Sequence, residues 1–179
     1  MTEYICAGFG GQGILKAGLI LADTGMRKNQ YVTWFPSYGA EMRGGTANCH
    51  VKISGGEIAS PYADKPDVLI AMNQASIDKL EKKIKSGGWL IYNSSMADHN
   101  QIFRSDIHVA KVAATDIAAD IGHAKGANIV MLGALTKMED TFTPEELKEN
   151  VDLYFQEKGK YHPKNAKCFE LGRKFVVTD

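Results

Sequence analysis

The stretch Tyr4-Ile5-Cys6-Ala7-Gly8-Phe9-Gly10-Gly11-Gln12-Gly13-Ile14-Leu15 constrains the fold more than any other. A short apolar run meets a glycine cluster, and an apolar-periodic segment follows at once. Tyr4 to Ala7 reads as a buried strand. Leu15, Leu19, Ala22 and Met26 recur at helical spacing and predict one face of a helix. Gly8, Gly10 and Gly13 fit G-x-G-x-x-G at a strand-to-helix turn. Glycine permits positive φ and close approach of backbone to a ligand. The first N–H groups of the helix lack internal partners, and the peptide dipoles add partial positive charge there. Such a turn is a ready anion site, most often for phosphate. The plainer reading, in which the glycines only permit a tight turn and close packing, stays open.

A second glycine-bearing loop follows the next strand signal. Tyr31 to Phe35 is rich in aromatic and β-branched residues and reads as a strand, with Pro36 at its end. Then comes Pro36-Ser37-Tyr38-Gly39-Ala40-Glu41-Met42-Arg43-Gly44-Gly45. A nicotinamide-binding domain places an acid near the end of its second strand to hold the ribose hydroxyls. Here the first acid is Glu41, several residues on, which weakens that reading. The planar fork of Arg43 suits a phosphate or carboxylate; the alternatives are a solvated arginine or a pair with Glu41.

The rest of the chain alternates strand and helix signals. Thr46 to Ser54 alternates apolar and polar residues, Ser54-Gly55-Gly56-Glu57 signals a hairpin, and Glu57 to Ser60 reads as the returning strand. His50 falls on the polar phase and is expected at the surface. Val68 to Met72 is a central strand, and Asn73 caps a helix whose inner face is Ile77, Leu80 and Ile84. Asp78 with Lys82, and Glu81 with Lys85, are spaced as i,i+4 pairs. Trp89 to Tyr92 and Ile107 to Lys111 are further strands, and Thr115-Asp116 opens a short helix. Ala127 to Met138 is apolar throughout and reads as a buried core helix. Thr143-Pro144-Glu145-Glu146 carries a capping box and a first-turn proline. Pro163 opens a last helix. Together these predict a single α/β domain over residues 1–179: a three-layer α/β/α arrangement around a mixed, mostly parallel sheet that carries a β-hairpin. Ligands in such sheets gather outside the carboxyl ends of the strands. The Gly8–Gly13 turn and the 36–45 loop each follow a strand and are expected at one edge, sharing one ligand.

Composition narrows the function classes. Lys plus Arg and Asp plus Glu both number 21, so the formal net charge is zero. Charge alone therefore gives no nucleic-acid or membrane-surface binding. The three cysteines, Cys6, Cys49 and Cys168, are far apart and form no C-x-x-C. They are expected as buried reduced thiols, one short of the four that an iron–sulfur cluster normally takes. His99 and His108 lie near each other without a completing carboxylate or cysteine, so no metal site is expected. No apolar run reaches the roughly 20 residues of a membrane span, and the expectation is a soluble cytoplasmic protein.

These motifs resemble a known family. Gly8-Phe9-Gly10-Gly11-Gln12-Gly13-Ile14 is similar to the glycine turn opening the gamma subunit of 2-oxoacid:ferredoxin oxidoreductases. Ser37-Tyr38-Gly39-Ala40-Glu41-Met42-Arg43-Gly44-Gly45-Thr46 resembles the family's second motif. Ser60-Pro61, Asn128 to Ala134 and Asn165 to Gly172 fit as well, so the likeness runs through nearly the whole chain. The resemblance implies a part in oxidative decarboxylation of a 2-oxoacid to its acyl-coenzyme A, with electrons passed to ferredoxin. It implies that thiamine diphosphate and the iron–sulfur clusters sit mainly on other chains, and that the partners are alpha and beta subunits with delta as a further candidate. This chain, which has no G-D-G thiamine signature, would then be inactive alone. Gly8, Gly10, Gly11, Gln12 and Gly13 are the expected backbone-amide binding surface, with Tyr38, Glu41 and Arg43 as a companion loop facing a partner subunit or the phosphates of coenzyme A. 2-Oxoglutarate is preferred slightly over pyruvate or branched-chain oxoacids. The rival readings are a free-standing NAD(P)-binding enzyme and a purely structural subunit.

Overall fold

The computed structural model describes residues 1–38, 46–98 and 100–178. Seven strands occur there: β1 (Thr2–Phe9), β2 (Tyr31–Tyr38), β3 (Thr46–Ser54), β4 (Val68–Ala71), β5 (Trp89–Asn93), β6 (His108–Val112) and β7 (Val177–Thr178). The helices are α1 (Ile14–Arg27), α2 (Gln74–Leu80), α3 (Ala114–Asp120), α4 (Ala127–Leu135), α5 (Pro144–Glu157) and α6 (Asn165–Phe175). The strands form one sheet in the order β2-β3-β1-β4-β5-β6-β7. Its centre, β1-β4-β5-β6, is parallel, and β2, β3 and β7 join antiparallel.

Continuous apolar runs explain the parallel centre, because both faces of such strands are covered. Tyr4 and Cys6 face one side with Val68 and Ile70; Ile5 and Ala7 face the other with Leu69 and Ala71. The first side is covered by α1, α3, α4, α5 and α6, the second by α2 and the segment around Ala63. This is the expected α/β/α sandwich, with most of its helical mass on one face.

Several local expectations change. The hairpin lies earlier than its glycine signal: residues 55–67 form no strand, and β3 pairs with β2 on one side and β1 on the other. β2 runs through Pro36 to Tyr38. A proline is tolerated because β2 is the outermost strand, where half of the N–H groups face no neighbour. The inner face of α1 is rotated from the predicted stripe. Of that stripe Ala22 is buried, Leu15 and Leu19 are half-buried and Met26 is 64% exposed, while Ile14, Ala17, Gly18, Leu21 and Gly25 are buried. The cause is glycine: a β-carbon on Gly18 would overlap the Cys49 sulfur, and one on Gly25 would lie 2.8 Å from Val32 Cγ2. The helix therefore comes close to the sheet where Gly18 and Gly25 lie between Ile14 and Leu21, and hydrophobic counting scores those two positions as blank.

His50 is buried rather than at the surface. Its Nδ1 accepts a hydrogen bond from the Ala63 N–H at 3.1 Å, Tyr62 packs edge-on at 5.3 Å, and burial lowers its pKa. The α2 pairs do not form, because the helix stops at Leu80. Asp78 instead accepts from Gln74, Glu81 from the Arg104 N–H, and Lys85 pairs with Asp67 at 2.9 Å. The expected caps hold. The Asn73 side chain accepts from the Ser76 N–H at 2.9 Å. At α5 the Thr143 hydroxyl accepts from the Glu146 N–H, and the Glu146 carboxylate accepts from the Thr143 N–H. Lys28 lies 2.7 Å from the same carboxylate and, with that N–H, holds its pKa below the usual range. Thr143→Ala is expected to cost about 1 kcal/mol and to lower Tm by about 2–4 °C in a thermal melt.

Candidate functional site

β1 and α1 are joined by a turn that is open at its tip and braced behind. Gly10 and Gly11 are exposed. Gly11 has φ 98° and Gly13 has φ 74°, both in the region where residues with a β-carbon are strained. Gly13 is the N-cap of α1 and has no side chain to cap it. The first intrahelical bond is Ala17 N–H to Gly13 O at 3.0 Å. The N–H groups of Ile14, Leu15 and Lys16 precede it and point out of the helix end.

The Gln12 side chain holds the rear of the turn. Its Oε1 accepts from the Phe9 N–H at 2.7 Å and from Asn73 Nδ2 at 2.9 Å. Its Nε2 donates to the Met72 carbonyl at 3.4 Å. Gly8 leaves the space for this: a β-carbon there would lie 2.8 Å from Gln12 Oε1 and 3.0 Å from Met72 Cβ. Gln12 thus reaches inward and ties β1 to the end of β4. Its side chain is a brace, and its N–H is taken within the turn by the Phe9 carbonyl at 3.2 Å.

The brace continues along the carboxyl edge of the sheet. Asn93, fully buried at the end of β5, donates to the Met72 carbonyl at 3.2 Å and to the Thr115 hydroxyl at 2.9 Å. Its Oδ1 accepts from the Thr115 and Ser95 N–H groups. Four successive strand exits, after β1, β4, β5 and β6, are therefore linked through amide and hydroxyl groups. Sequence reading placed Asn73 as a cap but passed over Asn93. The available signal was the same for both: an asparagine directly after an apolar strand and before a helical turn.

On the other side, Asn128 of α4 donates from Nδ2 to the Gly13 carbonyl at 3.0 Å. A β-carbon on Gly13 would lie 2.7 Å from that nitrogen.

The second expected group is only partly described. Glu41 and Arg43 lie outside the described residues, and of Tyr38 only the backbone is described. The two anchors of that loop are informative. Thr46 pairs with Phe9, directly before Gly10, and Tyr38 pairs with Ala47. Thr46 therefore sits beside the glycine turn and Tyr38 one strand further out, both at the edge where ligands bind in sheets of this kind.

The thiols do not fit an iron–sulfur cluster. Cys6 and Cys49 face each other across β1 and β3, Cys168 lies on α6, and all three are fully buried. Among the described residues there is no grouping of three or more His, Cys, Asp or Glu suited to a metal. No helix there is long and apolar enough to cross a membrane.

The sequence model of the pyruvate ferredoxin/flavodoxin oxidoreductase family matches residues 3–175. The chain belongs to that family. It is 38% identical over 167 residues to ketoisovalerate oxidoreductase subunit VorA of Methanothermobacter marburgensis, a match covering 93% of this chain and 34% of VorA. The chain thus spans about a third of the length of that relative. It is 35% identical over 151 residues to 2-oxoglutarate synthase subunit KorC of Methanocaldococcus jannaschii, covering 83% of this chain and 81% of KorC. Among solved structures, it is similar to the 2-oxoglutarate:ferredoxin oxidoreductase of Magnetococcus marinus with 2-oxoglutarate, coenzyme A and succinyl-CoA bound. The TM-score is 0.85 at 26% identity, covering 97% of this chain and 30% of that one.

Within this oxidoreductase-family chain, the motif segments serve two purposes. The Gly8–Gly13 turn and the anchors of the 39–45 loop meet at the carboxyl edge. Ile129 to Ala134 and Asn165 to Gly172 pack α4 against α6, while Asn128 reaches back to Gly13. A β-carbon on Gly133 would overlap the Phe169 carbonyl, and one on Gly172 the Val130 carbonyl.

Proposed function

We propose that this chain is the gamma-type subunit of a cytoplasmic 2-oxoacid:ferredoxin oxidoreductase. In this reading it supports conversion of a 2-oxoacid, with 2-oxoglutarate preferred slightly, to its acyl-coenzyme A, with electrons passed to ferredoxin. It is a binding and assembly subunit that is inactive alone and works with alpha and beta chains, delta being a further candidate. The observation that carries the reading is the family match over residues 3–175 on a fold whose glycine turn is open at the tip.

When bound on a sister chain, thiamine diphosphate supplies the electron sink for decarboxylation, and iron–sulfur clusters there carry the electrons. This chain's residues bind and orient. The exposed Gly10-Gly11 tip and the N–H groups of Ile14, Leu15 and Lys16 form a backbone anion site. Gly8 and Gly13 shape it, and Gln12 holds it rigid. Tyr38, Glu41 and Arg43 are the companion set, Glu41 and Arg43 falling in the sequence between Tyr38 and Thr46. Arg43 is assigned to the phosphates of coenzyme A, for which its bidentate fork is suited. The bound coenzyme A in the Magnetococcus marinus structure supports the ligand class.

Two measurements test this. Purification of the tagged chain from its native source is expected to bring down thiamine-diphosphate and ferredoxin-like chains; turnover by the lone polypeptide would overturn the assignment. In the assembled enzyme, Arg43→Ala is expected to raise the coenzyme A KM about tenfold or more, from loss of a charge-assisted contact. An unchanged coenzyme A affinity would remove that role.

The nucleotide-enzyme rival meets a topological obstacle. In a dinucleotide fold the neighbour of β1 is a parallel strand whose end carries the ribose-binding acid. Here that neighbour on the hairpin side is antiparallel β3, which brings Thr46 to that edge instead.

A further inference from the structure

We infer that Asn128 is a positioning residue for coenzyme A, acting through Gly13; the inference rests on the coenzyme A reading of the glycine turn. The geometry concerns a single peptide unit. The carbonyl of Gly13 and the N–H of Ile14 belong to one planar trans amide and point in opposite directions. The carbonyl faces down α1 and takes the Ala17 N–H at 3.0 Å. Its second lone pair takes Asn128 Nδ2 at 3.0 Å. Gripping that oxygen from α4 fixes the opposite face, where the Ile14 N–H points out of the helix toward the anion. Donation to a carbonyl also polarises its amide and strengthens the N–H as a donor.

Asn128 is placed for this task at the expense of its own hydrogen bonding. The residue is 3% exposed, and its Oδ1 is buried without a partner among the described residues. An orphaned acceptor offsets the stabilisation from the Nδ2 bond, so net stability gives little reason for an amide here. The absence of a Cβ on Gly13 completes the arrangement, since a methyl there would lie 2.7 Å from Nδ2. α4 is anchored by burial of all nine of its residues, so the amide is held on a rigid element.

The test uses the assembled enzyme, with the coenzyme A KM, kcat at saturating coenzyme A, and Tm read for each variant. Asn128→Leu removes the grip and the orphaned acceptor together. It is expected to raise the coenzyme A KM about five- to tenfold while leaving kcat and the oxoacid KM unchanged, and Tm the same or higher. Asn128→Asp keeps the shape, loses the donor and sets a negative charge near the anion. It is expected to raise the coenzyme A KM further than Asn128→Leu, because like charges repel strongly where water is excluded. Should Asn128→Leu fail to assemble, the Asp variant decides alone.

A fall in Tm and kcat with the coenzyme A KM unmoved would show a purely structural residue and overturn the inference. Arg43→Ala separates the two layers. If it raises the coenzyme A KM and both Asn128 variants do not, the positioning role fails and the coenzyme A reading stands. If none of the three moves it, both fail.

Discussion

Gly133→Ala and Gly172→Ala are each expected to destabilise the chain by about 3 kcal/mol, at the upper end for overpacking a core. α4 and α6 cross with backbone against backbone. Gly133 meets the carbonyl of Phe169, and Gly172 meets the carbonyl of Val130. A flexible side chain would yield to a new methyl, but a carbonyl inside a helix moves only if the helix moves. α4 is buried on every side, between α6 and the sheet, so it has nowhere to retreat. For a chain of this size the expected fall in Tm is about 6–12 °C for each variant. The double variant is expected to lose less than the sum, because separating the helices for one methyl makes room for the other. A melt of the full-length chain reads this directly, and a Tm within about 2 °C of the parent would show that the crossing is looser than described.

Gln12→Met is expected to cost about 2–3 kcal/mol, from buried donors left without acceptors. The substitution keeps the length of the side chain and deletes its polar end. The Phe9 N–H and Asn73 Nδ2 then lose the Oε1 they share, and the Met72 carbonyl loses one of its two side-chain donors. Gln12→Glu retains an acceptor for both N–H groups and is expected to lose less. Denaturant titration separates the two variants. The same pair bears on the site: with the brace gone, the Gly10–Gly13 tip is no longer held against β4. The coenzyme A KM of the assembled enzyme is then expected to rise more for Met than for Glu. Equal stabilities of the two variants would contradict the assignment of Oε1 as the acceptor that matters.

The turn itself was legible because its signals are local. An apolar run, three spaced glycines and a helical period specify strand, turn and helix within a dozen residues, and the Thr143 box and Asn73 cap were readable for the same reason. Side-chain direction was not. Gln12 was expected to contribute its backbone amide; its side chain turns inward to the Met72 carbonyl and to Asn73, some 60 residues away. His50 reads as polar-phase and exposed by alternation, but the 55–67 segment folds over it and Ala63 supplies its hydrogen bond. Asn128 and Asn165 looked like motif residues of one kind; Asn128 reaches Gly13, while Asn165 meets His123 at 3.0 Å on α6's own side of the fold.

By itself the sequence determined the layered α/β class, the strand–glycine–helix unit and the family. Each depends on local periodicity, backbone permission or composition. The tertiary structure decided that β3 enters antiparallel beside β1, that Thr46 lies next to the glycine turn with Tyr38 one strand further out, and that glycines on α1, α4 and α6 set how closely those helices approach their neighbours. Those outcomes depend on contacts between segments far apart in the chain. A glycine or an asparagine carries no sequence mark of which distant backbone will lie against it.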